Sequence, residues 1–194
     1  MDAQPASSVD RIFTRRVVVV CLFLLLAVDA TLKLMGREFL SDSGFGLWAG
    51  ARSHDTSQWL LDPYSTSHVL HGVFLYWLLL PLGKWLSTGT RLIAATVIES
   101  SWELLENSPT IIERYRVNTA SLDYFGDSIL NSTSDILCAV VGFRLAWRLG
   151  WKWMVALILA VELLMLYFVR DNLTLNILML VYPSEAIKQW QMGG

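Results

Sequence analysis

Charge is scarce in this chain: Asp, Glu, Lys and Arg make up 16% of its 194 residues, against about 25% in an ordinary soluble domain. No basic run is longer than the pair Arg15–Arg16, the net charge is −2 and the pI is about 5.9. Nucleic-acid binding needs a concentrated basic surface, so that class of partner is excluded. There are two cysteines, Cys21 and Cys138, each inside an apolar stretch, and no Cys-x-x-Cys spacing. A disulfide framework and a thiolate zinc site are therefore excluded as well, and each thiol reads as a small buried hydrophobe. Repeats and low-complexity tracts are absent, so residues 1–194 read as a single membrane domain.

Apolar residues are what the chain has in abundance. They make up 54% of it, with nine tryptophans and a mean hydropathy of +0.46. The expected fold is all-α, a polytopic transmembrane helical bundle with five full spans and a short C-terminal apolar segment. "VVVVCLFLLLAVDATLKLM" (17–35) is the first span, interrupted by Asp29 and Lys33, which one turn of helix would pair. Its basic flank, apolar core and "VDA" also fit a cleaved signal peptide, a rival reading that leaves the downstream orientation unchanged. "SHVLHGVFLYWLLLPLGKWL" (67–86) is the second span, with Ser67 suited to cap it. "RLIAATVIESSWELLEN" (91–107) is the third, and residues 127–147 and 151–170 are the fourth and fifth. The apolar segment 173–183 is short of the ~20 residues a perpendicular span requires, so a half-span, a tilted span or an interfacial helix all fit it.

The short connections set the orientation. Arg11, Arg15 and Arg16 precede the first span, Lys84 and Arg91 bracket one turn, and Arg144, Arg148 and Lys152 bracket another. The positive-inside rule puts all three at the cytoplasmic face, with Trp85, Trp147, Trp151 and Trp153 as an aromatic belt at the same level. The N-terminal tail 1–16 is then cytoplasmic, and the 36–66 and 108–126 loops are external.

With that orientation the polar residues converge. His68 and His71 fall at the outer end of the second span. Glu103 and Glu106 lie roughly 18 and 22 Å beyond Arg91 on the third, which is also near the outer end. Asp127 heads the fourth span, with Asn131 about one turn deeper and Asp135 about two. Glu99 and Asp135 share a depth near the midplane, close enough in this reading to share a proton. Glu99, Glu103 and Glu106 fall within about 60° of one another around their helix, and Asp127, Asn131 and Asp135 within about 80°. An ionised group in hydrocarbon costs at least ~2.5–3.5 kcal/mol, so five carboxylates and two imidazoles are expected to face one another around a polar cavity that opens outward.

"DPYSTSHVLHG", "ESSWELLEN" and "GDSILNSTSDILCAVVG", in this order, resemble the VanZ-like membrane proteins. That group shows an Asp and then a His entering one helix, a Glu on the next, and Asp-x-x-x-Asn heading a later one. The matching positions are Asp62 and His68, Glu103 or Glu106, and Asp127 with Asn131. Asp62 precedes His68 by more residues than is usual in the group, and Thr133 and Ser134 stand where it tends to have Gly. The chain as a whole is similar to an uncharacterised family of small bacterial inner-membrane proteins. The resemblance implies work at the envelope, in the bacterial plasma membrane, on a lipid or lipid-linked precursor.

Three functions follow from these residues. The leading one is a hydrolase or transferase in which His71 is the acid or base, with His68 beside it and Glu103 or Glu106 orienting it. Asp127, Asn131 and Asp62 would then bind a polar head or a cation. Membrane lipids are the expected surroundings, and a lipid-linked molecule the expected substrate. Mixed imidazole and carboxylate donors also suit a divalent metal such as zinc, iron or manganese, although no His-Glu-x-x-His or Glu-x-x-His signature is present. The second function is a small proton-coupled carrier using Glu99, Asp135 and Glu162 as a buried relay. The third is an accessory membrane protein without chemistry, its polar groups forming a structural network. His54 and Asp55 read as a solvated pair in the outer loop.

Overall fold

A computed structural model describes residues 12–193, which form eight α-helices. Arg11 and the rest of segment 1–11, expected in the cytoplasmic tail, lie outside the described residues. The helices are α1 (Arg15–Leu34), α2 (Ser65–Leu78), α3 (Thr88–Glu106), α4 (Pro109–Asn118), α5 (Ile129–Arg148), α6 (Trp151–Val169), α7 (Leu173–Val181) and α8 (Glu185–Met192). Two isolated bridges in the loop after α1 are the only extended pairing among the described residues. The all-helical expectation agrees with this.

Hydroxyl caps start most of the long helices: Thr14 for α1, Ser87 for α3 and Ser128 for α5 each accept a backbone N–H from the first turn. The second span differs from its expected start. Asp62, rather than Ser67, supplies the cap, its Oδ1 accepting from Tyr64 N at 2.7 Å and Ser65 N at 3.2 Å. Ser65 Oγ accepts in return from Asp62 N at 3.2 Å, which closes a reciprocal box over Pro63. At its other end α2 stops at Leu78 and tightens into a 3₁₀ turn at Leu80–Lys84 that contains Pro81.

Three helices, α1, α5 and α6, are long and apolar enough to cross a membrane, rather than the five expected. The reason is local in each remaining case. The α2 helix has 14 residues before the 3₁₀ turn. The α3 helix has 19 but carries Arg91, Glu99, Glu103 and Glu106. Where the polar groups sit is consistent along the bundle. Glu99, Ser100 and Glu103 of α3 are buried while Val97, Ile98 and Leu105 of the same helix are exposed. On α1 and α6, Phe23, Leu26, Leu163 and Phe168 are more than half exposed. The charged groups of α3 are thus turned inward among apolar core residues, and the outer faces of the long helices are apolar.

The cationic connections gather at one end. Gly89 at the start of α3 sits against Val17 and the Ile12 carbonyl, and the Arg144 guanidinium lies over the Phe13 ring at 5.5 Å. At the opposite end the loop after α1 folds over the start of α5. Ile129 N donates to Glu38 O at 2.8 Å, Ser128 N to Ser57 O at 2.9 Å, and Gln58 Nε2 to Gly126 O at 2.9 Å.

The most extensive helix contact joins α2 and α5. Gly72 lies against the Ala139 carbonyl, and Gly142 against the Val69 carbonyl. A Cβ at either glycine would overlap the facing backbone, so the two helices touch main chain to main chain. This close approach carries His68 and His71, which flank Val69 and Gly72, toward Asp135, one turn before Ala139.

The C-terminal segment is not among the helices long and apolar enough to cross. The α7 helix spans nine residues, about half of what a perpendicular span needs. Its start is tucked along α6, where Glu162 accepts from Leu173 N at 3.0 Å and Thr174 N at 3.2 Å. Glu162 is thus a cap for α7 and not a lone mid-span carboxylate. Arg114 of α4 donates to the Leu180 carbonyl, and Gln191 of α8 donates to Asp171 Oδ1 at 3.0 Å. Burial pushes the Asp171 carboxyl up to about 6. The folded chain therefore holds this proton more tightly than the unfolded one, and Asp171 favours folding at low pH. That contribution is lost as pH rises from about 4 through about 6. Hydrogen exchange in α7–α8 is expected to slow as pH falls through this window, after correction for the intrinsic rate, and Asp171→Asn is expected to flatten the dependence.

Local pairs near the ends of α1 also differ from expectation. Lys33 pairs with Glu38 at 2.8 Å and not with Asp29, whose Oδ1 accepts from Thr133 Oγ1 of α5 at 2.8 Å. The chain turns back after α1, Arg37 N bonding Leu32 O, which returns Glu38 to Lys33. In the same loop His54 is exposed, while Asp55 accepts from Ser41 Oγ at 2.9 Å and from Ser43 Oγ. Asp55 organises the loop as well as facing His54. The two cysteines are free.

Candidate functional site

The polar stripes of α2, α3 and α5 meet. Glu99 Oε1 is the hub, lying 2.7 Å from His68 Nδ1 and 2.9 Å from His71 Nδ1. His68 Nδ1 is also 3.3 Å from Glu103 Oε1, and its Nε2 is 3.8 Å from Asp135 Oδ2. The His68 imidazole therefore stands between Glu99 and Asp135, which were expected to share a proton directly. The two imidazole rings sit edge to face with centroids 4.9 Å apart, and Trp102 stands edge-on to His71 at 6.3 Å.

The two histidines differ in exposure: the His68 side chain is 9% exposed, and that of His71, one turn further along α2, is 20% exposed. His71 meets Glu99, not Glu103 or Glu106. The offset follows from the α2–α5 backbone contact, which fixes where α2 stands along the bundle and sets both histidines level with Glu99.

A second cluster lies toward the loop-covered end. Asn107, which closes α3 and is fully buried, donates from Nδ2 to Asp127 Oδ2 at 2.8 Å and accepts at Oδ1 from Asp127 N at 2.8 Å. Tyr124 donates to the same Asp127 oxygen at 3.0 Å, and Tyr115 donates to Glu106 Oε1 at 2.8 Å. Asn107, Tyr115 and Tyr124 were not singled out from sequence. Asn107 was accessible to the same reasoning, because it continues the 99, 103 spacing of α3 by one further turn. The tyrosines lie in the 108–126 segment, where no helical stripe points to them.

Two of the expected binding residues face elsewhere. The Asp62 carboxylate is taken up by backbone N–H groups of the α2 cap, with Oδ2 accepting from Ser57 N at 2.7 Å. Asn131 Nδ2 donates to Trp59 O at 2.9 Å and fastens the outer loop to α5. Asp62 and Asn131 thus fasten the α2 cap and the outer loop beside the site, and Asn131 Oδ1 is buried without a hydrogen-bond partner.

The main exception to this pairing lies at the centre. Glu103 is 1% exposed, and neither of its carboxylate oxygens has a hydrogen-bond partner; Asp135 Oδ1 is likewise buried without one. An unpaired buried polar atom costs about 1–3 kcal/mol, and more when charged.

Residues 32–193 match a family described as a protein of unknown function, DUF2585. Similar chains include UPF0314 proteins from three bacteria. The one from Rhizobium meliloti is 53% identical over 165 residues, covering 82% of each chain. The one from Brucella anthropi is 48% identical over 171 residues, 87% of each. The one from Paracoccus denitrificans is 48% identical over 186 residues, 92% of this chain and 95% of the relative. No solved structure matches. The chain belongs to this family of uncharacterised bacterial proteins.

Proposed function

We propose that this chain is a multi-pass protein of the bacterial plasma membrane, a single membrane domain whose buried His/carboxylate centre performs acid–base chemistry on a lipid or lipid-linked envelope substrate. The reaction class is hydrolysis or group transfer. The observation that carries the reading is the Glu103 carboxylate, buried with both oxygens unpartnered and 3.3 Å from His68. The resemblance of residues 60–145 to VanZ-like membrane proteins agrees with work at the envelope.

Five helices cross in this reading, α2 continuing through its 3₁₀ turn to Lys84 and α3 turning its carboxylates inward. The apolar outer face of α3 supports its crossing. The cationic end, with Lys84, Arg91, Arg144 and Arg148, is cytoplasmic by the positive-inside rule. The His/Glu centre then lies in the outer half, beneath the loop after α1.

His71 is the acid or base, because it is the more open imidazole and Glu99 fixes its ring through Nδ1. His68 and Asp135 stand behind it and hold Glu99 in place. A carrier is less well supported, since Glu162, its expected relay group, caps α7 instead. The test is a comparison of membrane-lipid and lipid-linked precursor profiles in a deletion strain and its parent. One envelope lipid or precursor species is expected to accumulate on deletion and to return to the parental level with the wild-type allele. Identical profiles would overturn the enzymatic reading.

A further inference from the structure

We propose that His68, His71 and Glu99 form a binding site for one divalent transition-metal ion, with Glu103 beside it as a further carboxylate. The proposal rests on the reading above, that this centre is functional, and gives His71 a ligand's part in it in place of the acid–base one. Three observations point to it. The two Nδ1 atoms converge on one Glu99 oxygen at 2.7 and 2.9 Å, and Glu103 Oε1 stands at the edge of the group, 3.3 Å from His68 Nδ1. His68, His71 and Glu99 offer ligand atoms that all lie within 4.8 Å of one another. Glu103 is fully buried and aimed into the cluster without any other partner.

Ligands about 2.0–2.2 Å from a tetrahedral zinc ion stand roughly 3.3–3.5 Å apart. The observed separations are a little shorter, as hydrogen-bonded pairs should be, and an outward shift of about half an ångström would admit an ion. Two imidazoles and a carboxylate suit zinc, iron or manganese. The ion would offset the charge of Glu99 and Glu103, two carboxylates that are each costly in a bilayer. The surroundings are also those of a metal ligand. A metal-bound histidine usually presents its other ring nitrogen to a carboxylate, and His68 Nε2 faces Asp135 Oδ2 at 3.8 Å. Glu106 stands beyond Glu103 as part of a second group with His68, but its Oε1 already accepts from Tyr115. With an ion bound, both imidazoles are neutral with the proton on Nε2, and His71 serves as a ligand rather than as acid or base.

The experiment uses the full chain purified in detergent, stripped with chelator and dialysed against Zn(II), Mn(II) or Co(II) separately. One ion per chain is expected to remain after removal of free metal, with affinity at least about 100-fold weaker in Glu99→Gln and His71→Ala. Glu113→Gln, on the exposed face of α4, is expected to bind as the wild type does. X-ray absorption of the zinc-loaded wild type should show two imidazoles, and this readout stands even if a variant fails to fold. A wild type that retains no ion, a bound ion without histidine ligands, or folded variants that bind normally would each overturn the site. The two readings can fail separately. Loss of complementation in His71→Ala with no metal in the wild type removes the ion and keeps acid–base chemistry. A bound ion with an unchanged lipid profile on deletion keeps the site and removes the enzyme.

Discussion

His71→Ala is expected to abolish complementation of a deletion strain while leaving the amount of protein in the membrane unchanged. His71 is the one member of the centre with an open edge, at 20% side-chain exposure, and its single polar contact is the Glu99 oxygen it shares with His68. Removing it leaves Glu99 still paired at 2.7 Å, so the fold loses little. General acid–base catalysis contributes about 10²–10⁴ in rate, enough that an allele lacking it reads as null. His71→Gln should be equally inactive, since an amide neither transfers a proton at neutral pH nor replaces an imidazole on a metal. Wild-type growth with His71→Gln would reduce the residue to a hydrogen-bonding role. His68→Ala is expected to behave differently and to lower the amount of protein as well. It strips Glu99, Glu103 and Asp135 of the imidazole they share, and a buried polar group left unpaired costs about 1–3 kcal/mol, more when charged.

The second large effect is structural. Gly142→Ala should cost about 3 kcal/mol or more, the upper end for an overpacked core, because the new Cβ meets the Val69 backbone and not a side chain able to turn aside. Gly72→Ala should cost as much for the matching reason at Ala139. Both should appear as reduced protein in the membrane and a lowered melting temperature in detergent. The double variant should add little further, since the first methyl already parts the helices. Melting unchanged from wild type in either single variant would mean that α2 and α5 are not held at backbone contact.

The same contact explains what could and could not be read from the sequence. The α1, α5 and α6 helices are legible as apolar runs. The convergence of His68, His71, Glu99, Glu103 and Asp135 is legible too, because each lies on one face of its helix and none can be left to lipid cheaply. Which carboxylate meets which histidine is not. A shift of one turn between α2 and α3 exchanges Glu103 for Glu99 as the partner of His71, and the position of α2 is set by one glycine of its own and one of α5, each packed against the other helix's backbone. Asp62 misled for a different reason. A buried Asp just before a helix serves equally well as a ligand or as a cap, and only the positions of Tyr64 N, Ser65 N and Ser57 N show that it is a cap here. Glu162 follows the same pattern, since its partners are the first N–H groups of a helix that begins several residues later and folds back.

Whether α2 and α3 cross the membrane decides whether the His/Glu centre lies within it, and thiol labelling in intact cells tests this most directly. The chain would carry one cysteine at a time, with Cys21 and Cys138 replaced, at His54 in the loop after α1 or at Lys84 in the turn before α3. Both positions are exposed. A membrane-impermeant reagent is expected to modify the His54→Cys chain in intact cells and the Lys84→Cys chain only after permeabilisation. Modification of Lys84→Cys in intact cells would place the turn outside and contradict a centre built from helices that cross the membrane.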